Sequence, residues 1–213
     1  MRFTNHNYDK IILDFDGVIV DSVKTKEEAF LSVLKDLYPD LMGHVQENSI
    51  ALNGSRFQRA EKLNTEAQKN NMVFSSEDYL RSYSEVVSSQ LLKAEWSKTF
   101  EEGLWNQSNV VIISLGFVDE ICQLIEKKFG SNAFDLNRIY GSPTLKIDNT
   151  KKVVKENEKV LSIGDSLSDY KIAEELGLDF FYVKDWAMKN TADQMNSSTL
   201  KGTFSSLDSF YHA

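Results

Sequence analysis

Asp14 and Asp16 stand two residues apart at the end of an apolar run, "KIILDFDG", residues 10–17. Carboxylates at the mouth of a buried segment are costly unless a cation or hydrogen bonds offset them. Residues two apart on a strand project to one side, so this pair can share a site. Further along, Ser114 and Leu115 close the run "NVVIISL", Lys146 ends "GSPTLK", and Asp165 and Asp169 fall in "GDSLSD". Brought together, these residues would place four carboxylates beside one hydroxyl and one ammonium. Like charges at that density cannot all stay ionised without another cation. Oxygen ligands with no His or Cys cluster favour Mg2+ over zinc, and His6, His44 and His212 have no metal-ligand spacing. No GxxxxGK[ST] phosphate loop and no GxSxG elbow occurs. An aspartate nucleophile beside Mg2+ points to phosphoryl transfer through an aspartyl-phosphate, which splits one hard displacement into two easier ones.

The elements that must position these groups are legible as short apolar runs. "KIILDF", "NVVIISL", "LNRIYG", "KVLSIGD" and "DFFYVK" read as five buried strands. Helix-spaced patterns at 118–130 and 168–177, each closed by a glycine, lie between strands. Strand–helix alternation predicts an α/β fold, a Rossmann-like parallel sheet covered by helices. In open parallel sheets, ligands bind beyond the carboxyl ends of the strands, where all of the candidate residues above fall. Residues 22–98 break the alternation: 23–38, 55–70 and 76–96 read as amphipathic helices, with no convincing strand among them. The expected division is a core of 1–21 and 99–213 with an all-helical insert, 22–98, after the first strand. Residues 189–202, "KNTADQMNSSTLKG", read as a polar loop.

Composition narrows the function. A chain of 213 residues, 41% of them apolar, can bury a sizeable core. A net charge of −8 argues against a nucleic-acid binder, which needs a basic face. An anionic substrate must then be held by a few local cations or a metal. The single cysteine, Cys122, fits a reducing compartment and lies on an apolar helix face. No apolar run approaches the roughly 20 residues that cross a bilayer, and the N-terminus shows no apolar signal segment. The expectation is a cytoplasmic protein, monomeric or weakly dimeric, with no membrane or nucleic-acid partner.

"DFDGVIVDS", "VVIISLG", "GSPTLK" and "GDSLSDY", in this order, resemble the haloacid dehalogenase-like (HAD) hydrolase superfamily, in its phosphoglycolate phosphatase and β-phosphoglucomutase-like branch. The resemblance covers about Lys10 to Lys184, with the helical insert where that superfamily often places a cap. It implies Asp14 as nucleophile and Asp16 as general acid and base. It implies that Ser114 hydrogen-bonds a phosphoryl oxygen beside Leu115, and that Lys146 offsets the charge of Asp14 and phosphate. Mg2+ would be held by Asp14, Asp165 and the backbone carbonyl of Asp16, with Asp169 acting through water or orienting Lys146. Gly17 would allow the sharp exit from the strand.

Several residues have structural readings too. Ser114 could cap the helix that begins near Val118, and Asp169 could be a charge at a helix start. Asp21 and Ser22 read as an N-cap pair for the first helix of the insert. Trp96 and Trp105 read as packing residues. In the insert, "NGSRFQRAEKL" places a turn at Asn53 and Gly54, a helix start at Ser55, and Arg56 and Arg59 one turn apart. The two arginines read as a solvated basic face or, because the stretch resembles the substrate-specificity loop of β-phosphoglucomutase-like proteins, as a loop that touches the substrate, with Arg56 the leading candidate contact.

The expected activity is therefore an Mg2+-dependent phosphatase acting on a small phosphorylated metabolite, such as a sugar phosphate. A phosphomutase is the alternative, although the His usual to that group is missing from "DSVKTKEEAF". A dehalogenase would lack the second aspartate, and a phosphonatase would need a Schiff-base lysine, for which Lys24 and Lys26 are candidates. A non-catalytic binding module on this fold would typically have lost a catalytic carboxylate, and none is lost here.

Overall fold

The structure is a computed structural model that describes residues 8–52, 55–130, 133–196 and 198–212. The chain divides into two compact units, one of residues 1–24 and 91–213, the other Thr25–Gln90.

The first unit is built on a six-stranded parallel sheet in the order β3-β2-β1-β4-β5-β6. The strands are β1 (Lys10–Leu13), β2 (Val110–Phe117), β3 (Ile139–Ser142), β4 (Val160–Gly164), β5 (Asp179–Val183) and β6 (Leu200–Phe204). Ile11, Leu13, Val110 and Ile112 have no exposed surface, as expected of central strands covered on both faces. On one face, Ile12, Val111, Ile113, Phe180 and Tyr182 pack with Val153, Tyr170 and Ala173. Val153 comes from α7 (Lys146–Val153), and Tyr170 and Ala173 come from α8 (Leu167–Glu175). By strand alternation Phe181 points the other way, where it meets Phe204 of β6 and Phe210 of α9 (Leu207–Tyr211) at ring centroid distances of 5.3 and 5.0 Å. Trp105 stacks on Phe210, and Trp96 packs edge-on against Phe15, so both tryptophans are packing residues. Cys122 is half-buried on α6 (Val118–Phe129) beside the buried Ile121, Leu124 and Ile125.

The sixth strand corrects the reading of 189–202 as a loop. β6 takes Leu200 to Gly202 out of that segment and pairs with β5 through Phe180↔Leu200 and Phe181↔Gly202. It lies at the sheet edge, and its residues alternate between half-buried and exposed. An edge strand has no continuous apolar run to announce it.

The second unit is helical. Its segments are α1 (Val23–Leu37), whose first two residues belong to the sheet unit, α2 (Pro39–Glu47), α3 (Arg56–Lys69) and α4 (Ser76–Leu91), whose last residue does too. Phe30 packs edge-on against Tyr79 and Tyr83, and the Tyr79 hydroxyl donates to the Phe30 carbonyl at 2.7 Å. Burial pushes the Tyr79 phenol far above its ordinary range. Ser55 caps α3 in a reciprocal capping box with Gln58. The turn expected at Asn53 and Gly54 lies outside the described residues.

The two covalent connections to this unit run side by side within the sheet unit. Val20 forms an antiparallel bridge with Trp96. The Asp21 amide donates to Glu95 and the Ser97 amide to Ile19, at 2.9 and 2.8 Å. Ser97 opens α5 (Lys98–Glu101), and its hydroxyl donates to the Asp208 carboxylate at 2.5 Å. Asp208 also accepts from the Thr99 amide and hydroxyl and from the Lys98 amide, which fastens α9 to the returning connection.

Candidate active site

The carboxyl ends of β1 and β4 and the start of α7 bring four of the expected residues together. Asp14 is the first residue after β1, and its amide donates to Ile163 at 2.9 Å, extending the ladder with β4. Asp165 follows β4 directly, and Asp169 is the third residue of α8. Each of Asp14, Asp165 and Asp169 offers one carboxylate oxygen to a cluster in which these atoms lie within 4.8 Å of one another. Lys146, the first residue of α7, places its ammonium 2.7 Å from Asp14 Oδ1 and 2.5 Å from Asp169 Oδ1. All four side chains are buried.

Two glycines make this crowding sterically feasible. Gly17 has φ +76°, and a Cβ there would lie 2.3 Å from Asp165 Oδ2. Only a residue with no side chain fits both the left-handed backbone and the contact. Gly164, at the end of β4, would bring a Cβ to 2.5 Å from that of Asp169.

Ser166 was not singled out in the sequence. It is the N-cap of α8: its hydroxyl donates to Asp169 Oδ2 at 2.6 Å, and its amide reaches the same oxygen at 3.2 Å. Asp169 is therefore both a helix-start charge and a member of the carboxylate cluster, with Oδ2 held by the cap and Oδ1 turned to Lys146. The S-x-x-D spacing of a capping box was the available signal.

Asp16 stands apart from the three-carboxylate cluster. Its Oδ1 accepts a 2.5 Å hydrogen bond from Ser22, which ties the fully buried Ser22 hydroxyl to the Asp-x-Asp turn. Asp16 is near enough to raise the pKa of both Asp14 and Asp165. Ser114 is buried on β2 and accepts from the Gly116 amide at 3.0 Å. It does not cap α6, whose N-cap is Phe117. Leu115 is exposed, and its carbonyl accepts from Ser142 at 2.7 Å.

Arg56 and Arg59 belong to the helical unit. Arg56 donates to Ser84 at 3.1 Å and lies over the rings of Phe57 and Tyr83. Arg59 pairs with Glu27 at 2.6 Å over the Phe30 ring, which braces α3 against α1.

The electrostatics leave the cluster short of positive charge. Burial, opposed by Lys146 but reinforced by Asp169 and Asp16, pushes Asp14 up to about 7. Burial, together with Asp14 and Asp169, pushes Asp165 up to about 9. Desolvation works against the Lys146 ammonium, but Asp14 and Asp169 outweigh it and hold its pKa above the ordinary lysine value. One ammonium cannot balance three carboxylates. A buried all-oxygen donor set with excess negative charge fits a hard divalent cation.

A pH dependence follows for the metal-free protein. In the unfolded chain an aspartate titrates near 4, so the folded protein binds more protons between about pH 4 and pH 9. Stability contributed by these groups is full below the unfolded value and is lost as pH rises through the folded values. In EDTA, Tm is expected to fall between pH 5 and pH 9, and millimolar Mg2+ is expected to recover most of the loss at the upper end. A Tm in EDTA that rises over this range, or is indifferent to Mg2+, would contradict the charge imbalance.

No protein-family model matches the sequence, and no curated protein matches it. Solved structures do match its fold. A HAD hydrolase of family IA, variant 3, from Entamoeba histolytica aligns with TM-score 0.66 and 16% identity, over 93% of each chain. A protein from Bacillus subtilis, provisionally named a HAD-hydrolase and solved bound to magnesium, aligns with TM-score 0.63 and 16% identity, over 96% of this chain and 97% of its own. A protein from Thermotoga maritima, provisionally named a β-phosphoglucomutase, aligns with TM-score 0.62 and 15% identity, over 95% and 96%. The fold is that of the haloacid dehalogenase-like hydrolases.

Proposed function

We propose that the protein is an Mg2+-dependent phosphatase that hydrolyses a small phosphorylated metabolite through an aspartyl-phosphate. The observation that carries this reading is the clustering of the Asp14, Asp165 and Asp169 carboxylates at the carboxyl end of the sheet, with one buried ammonium, Lys146, paired to Asp14 and Asp169. Names given to structures of the same fold agree with it, one being a hydrolase and one solved with magnesium.

In the mechanism, an Asp14 carboxylate oxygen attacks phosphorus and the ester P–O bond breaks. Asp16 donates its proton to the leaving oxygen as that bond breaks. Asp16, now ionised, takes a proton from water, and the resulting hydroxide attacks the phosphorus of the acyl phosphate. The bond from phosphorus to Asp14 then breaks, freeing phosphate and regenerating the carboxylate. Lys146 offsets the charge on Asp14 and the phosphoryl oxygens, while Ser114 hydrogen-bonds one of those oxygens. Asp14, Asp165 and the Asp16 carbonyl would hold Mg2+, which supplies charge neutralisation and alignment of the phosphoryl group when bound. Asp169 keeps Lys146 in place. Selection of the leaving group is assigned to the helical unit, with Arg56 as its candidate residue.

The test is release of inorganic phosphate from p-nitrophenyl phosphate and from a panel of phosphorylated metabolites. Release is expected with Mg2+ and is expected to stop with EDTA. Release that survives EDTA, or no release from any ester, would reject this reading. Phosphoryl transfer between positions of one sugar without net release would assign the phosphomutase activity suggested by the name of the Thermotoga maritima protein.

A further inference from the structure

We infer that Ser166 is a positioning residue for the reaction: by holding one oxygen of Asp169 it keeps the other on Lys146, and so keeps the ammonium on Asp14. The inference rests on the phosphatase reading and deepens it.

The first observation is an unbroken chain of short contacts within the sheet unit. The Ser166 hydroxyl donates to Asp169 Oδ2 at 2.6 Å, and the Ser166 amide reaches the same oxygen at 3.2 Å. Asp169 Oδ1 lies 2.5 Å from the Lys146 ammonium, which in turn lies 2.7 Å from Asp14 Oδ1. A carboxyl group turns readily about its last bond, because that torsion has broad minima. Two donors on Oδ2 fix its plane and leave Oδ1 facing Lys146. The direction of the Ser166 hydroxyl is fixed as well. Ser168 Oγ lies 2.7 Å from Ser166 Oγ. A hydroxyl has one proton and a carboxylate only accepts, so the Ser166 proton goes to Asp169 and Ser168 donates to Ser166.

The second observation is independent of those bonds. A Cβ on Gly164 would lie 2.5 Å from Asp169 Cβ and 2.8 Å from its Cγ and Oδ2. The Asp169 side chain therefore lies directly against the backbone of β4, a close approach that only glycine permits. Capping alone does not account for this arrangement. Among the described residues, α3, α8 and α9 carry reciprocal capping boxes, with Gln58, Asp169 and Ser209 as the partners. Gln58 is exposed and Ser209 is half-buried. Asp169 is buried, and its second oxygen is on an ammonium. In α8 the box both closes a helix end and orients a charge at the site.

The test compares Ser166→Gly, Ser166→Thr and Ser206→Gly on p-nitrophenyl phosphate with Mg2+. Glycine is a tolerable N-cap, so each glycine variant is expected to lower Tm by about 1 °C or less. Ser166→Gly is expected to lower kcat about 10-fold, the lower end for losing a hydrogen bond to a charged group, because the amide at 166 still reaches Asp169. Ser206→Gly makes the same change to the cap of α9 and is expected to leave kcat as in the wild type. Ser166→Thr keeps the hydroxyl and is expected to bring kcat back near the wild-type value. Crystal structures of the wild type and Ser166→Gly give a readout that needs no turnover: the distance from Lys146 Nζ to Asp169 Oδ1 is expected to open beyond about 4 Å in the variant. An unchanged kcat in Ser166→Gly, an equal loss in Ser206→Gly or in Ser166→Thr, or an unchanged Lys146–Asp169 pair overturns the inference. If the wild type releases no phosphate from any ester, the phosphatase reading fails, while the crystal structures still decide whether Ser166 holds Lys146 in place.

Discussion

Asp14→Asn is expected to lower phosphatase turnover by more than about 10³-fold, because the amide keeps the shape of the side chain but is a very poor nucleophile. The same variant is expected to be more stable than the wild type in EDTA at pH 8. Asp14 is buried, carries a raised pKa near 7, and is one of three carboxylates around a single ammonium. Removing its charge leaves Lys146 paired with Asp169 Oδ1 at 2.5 Å, so no buried ammonium is stranded. Each pKa unit of crowding relieved is worth about 1.4 kcal/mol, or about 2–4 °C in Tm for each kcal/mol in a chain of this size. Activity and stability should thus move in opposite directions. Steady-state kinetics and a thermal melt on one preparation check both. Retained turnover would exclude the covalent route, and a lower Tm in EDTA would show that the Lys146 contact outweighs the crowding.

Asp16→Asn is expected to cost about 10²–10⁴-fold in kcat, the usual worth of general acid–base catalysis, with the size set by the leaving group. An alkyl phosphate needs its leaving oxygen protonated and should show the larger loss. p-Nitrophenyl phosphate leaves as a stable phenolate and should show the smaller one. Asp16 is well placed for a separate role, since its carboxylate is outside the cluster of Asp14, Asp165 and Asp169 and is bonded to Ser22. Equal losses on the two substrates would remove Asp16 from the proton-transfer role and leave it as a positioning residue.

Asp14, Ser114 and Asp165 were legible in the sequence because they lie at or near the ends of strands that announce themselves. β1, β2, β4 and β5 are buried runs rich in Ile, Val, Leu and Phe, and such runs are readable without any partner. β6 was not readable, because an edge strand is recognisable only once β5 lies beside it. α7 was missed for a different reason. It buries Lys146, Asn149 and Thr150 along with Val153, so its inward face is mostly polar. Asn149 donates to the Gly141 and Thr144 carbonyls, and Thr150 to the Lys146 carbonyl, contacts that no hydrophobic period reveals. Its apolar N-cap, Leu145, also withholds the usual start signal. Likewise the order of Asp14, Asp16, Ser114, Lys146, Asp165 and Asp169 along the chain suggested one site. That Lys146 divides itself between Asp14 and Asp169, with Ser166 holding the far oxygen of Asp169, depends on distances that sequence spacing does not encode.

The bridge between Val20 and Trp96 bears on how the chain folds. The pairing of Ile11 with Val110 at the middle of the sheet joins segments far apart in sequence, the kind of high-contact-order pairing that folds slowly. For a flexible chain each doubling of the closed loop costs about 0.6 kcal/mol, and the insert lengthens a short turn by about four doublings, roughly 2 kcal/mol in all. Once the two connections are bridged, the whole excursion from Thr25 to Gln90 begins and ends at one place, and β1 and β2 are joined as if by a short crossover connection. With the bridge in place, the loop that pairing of β1 with β2 must close excludes the insert. The same closure lets a site at the ends of these strands keep its geometry while the inserted module changes in length and sequence.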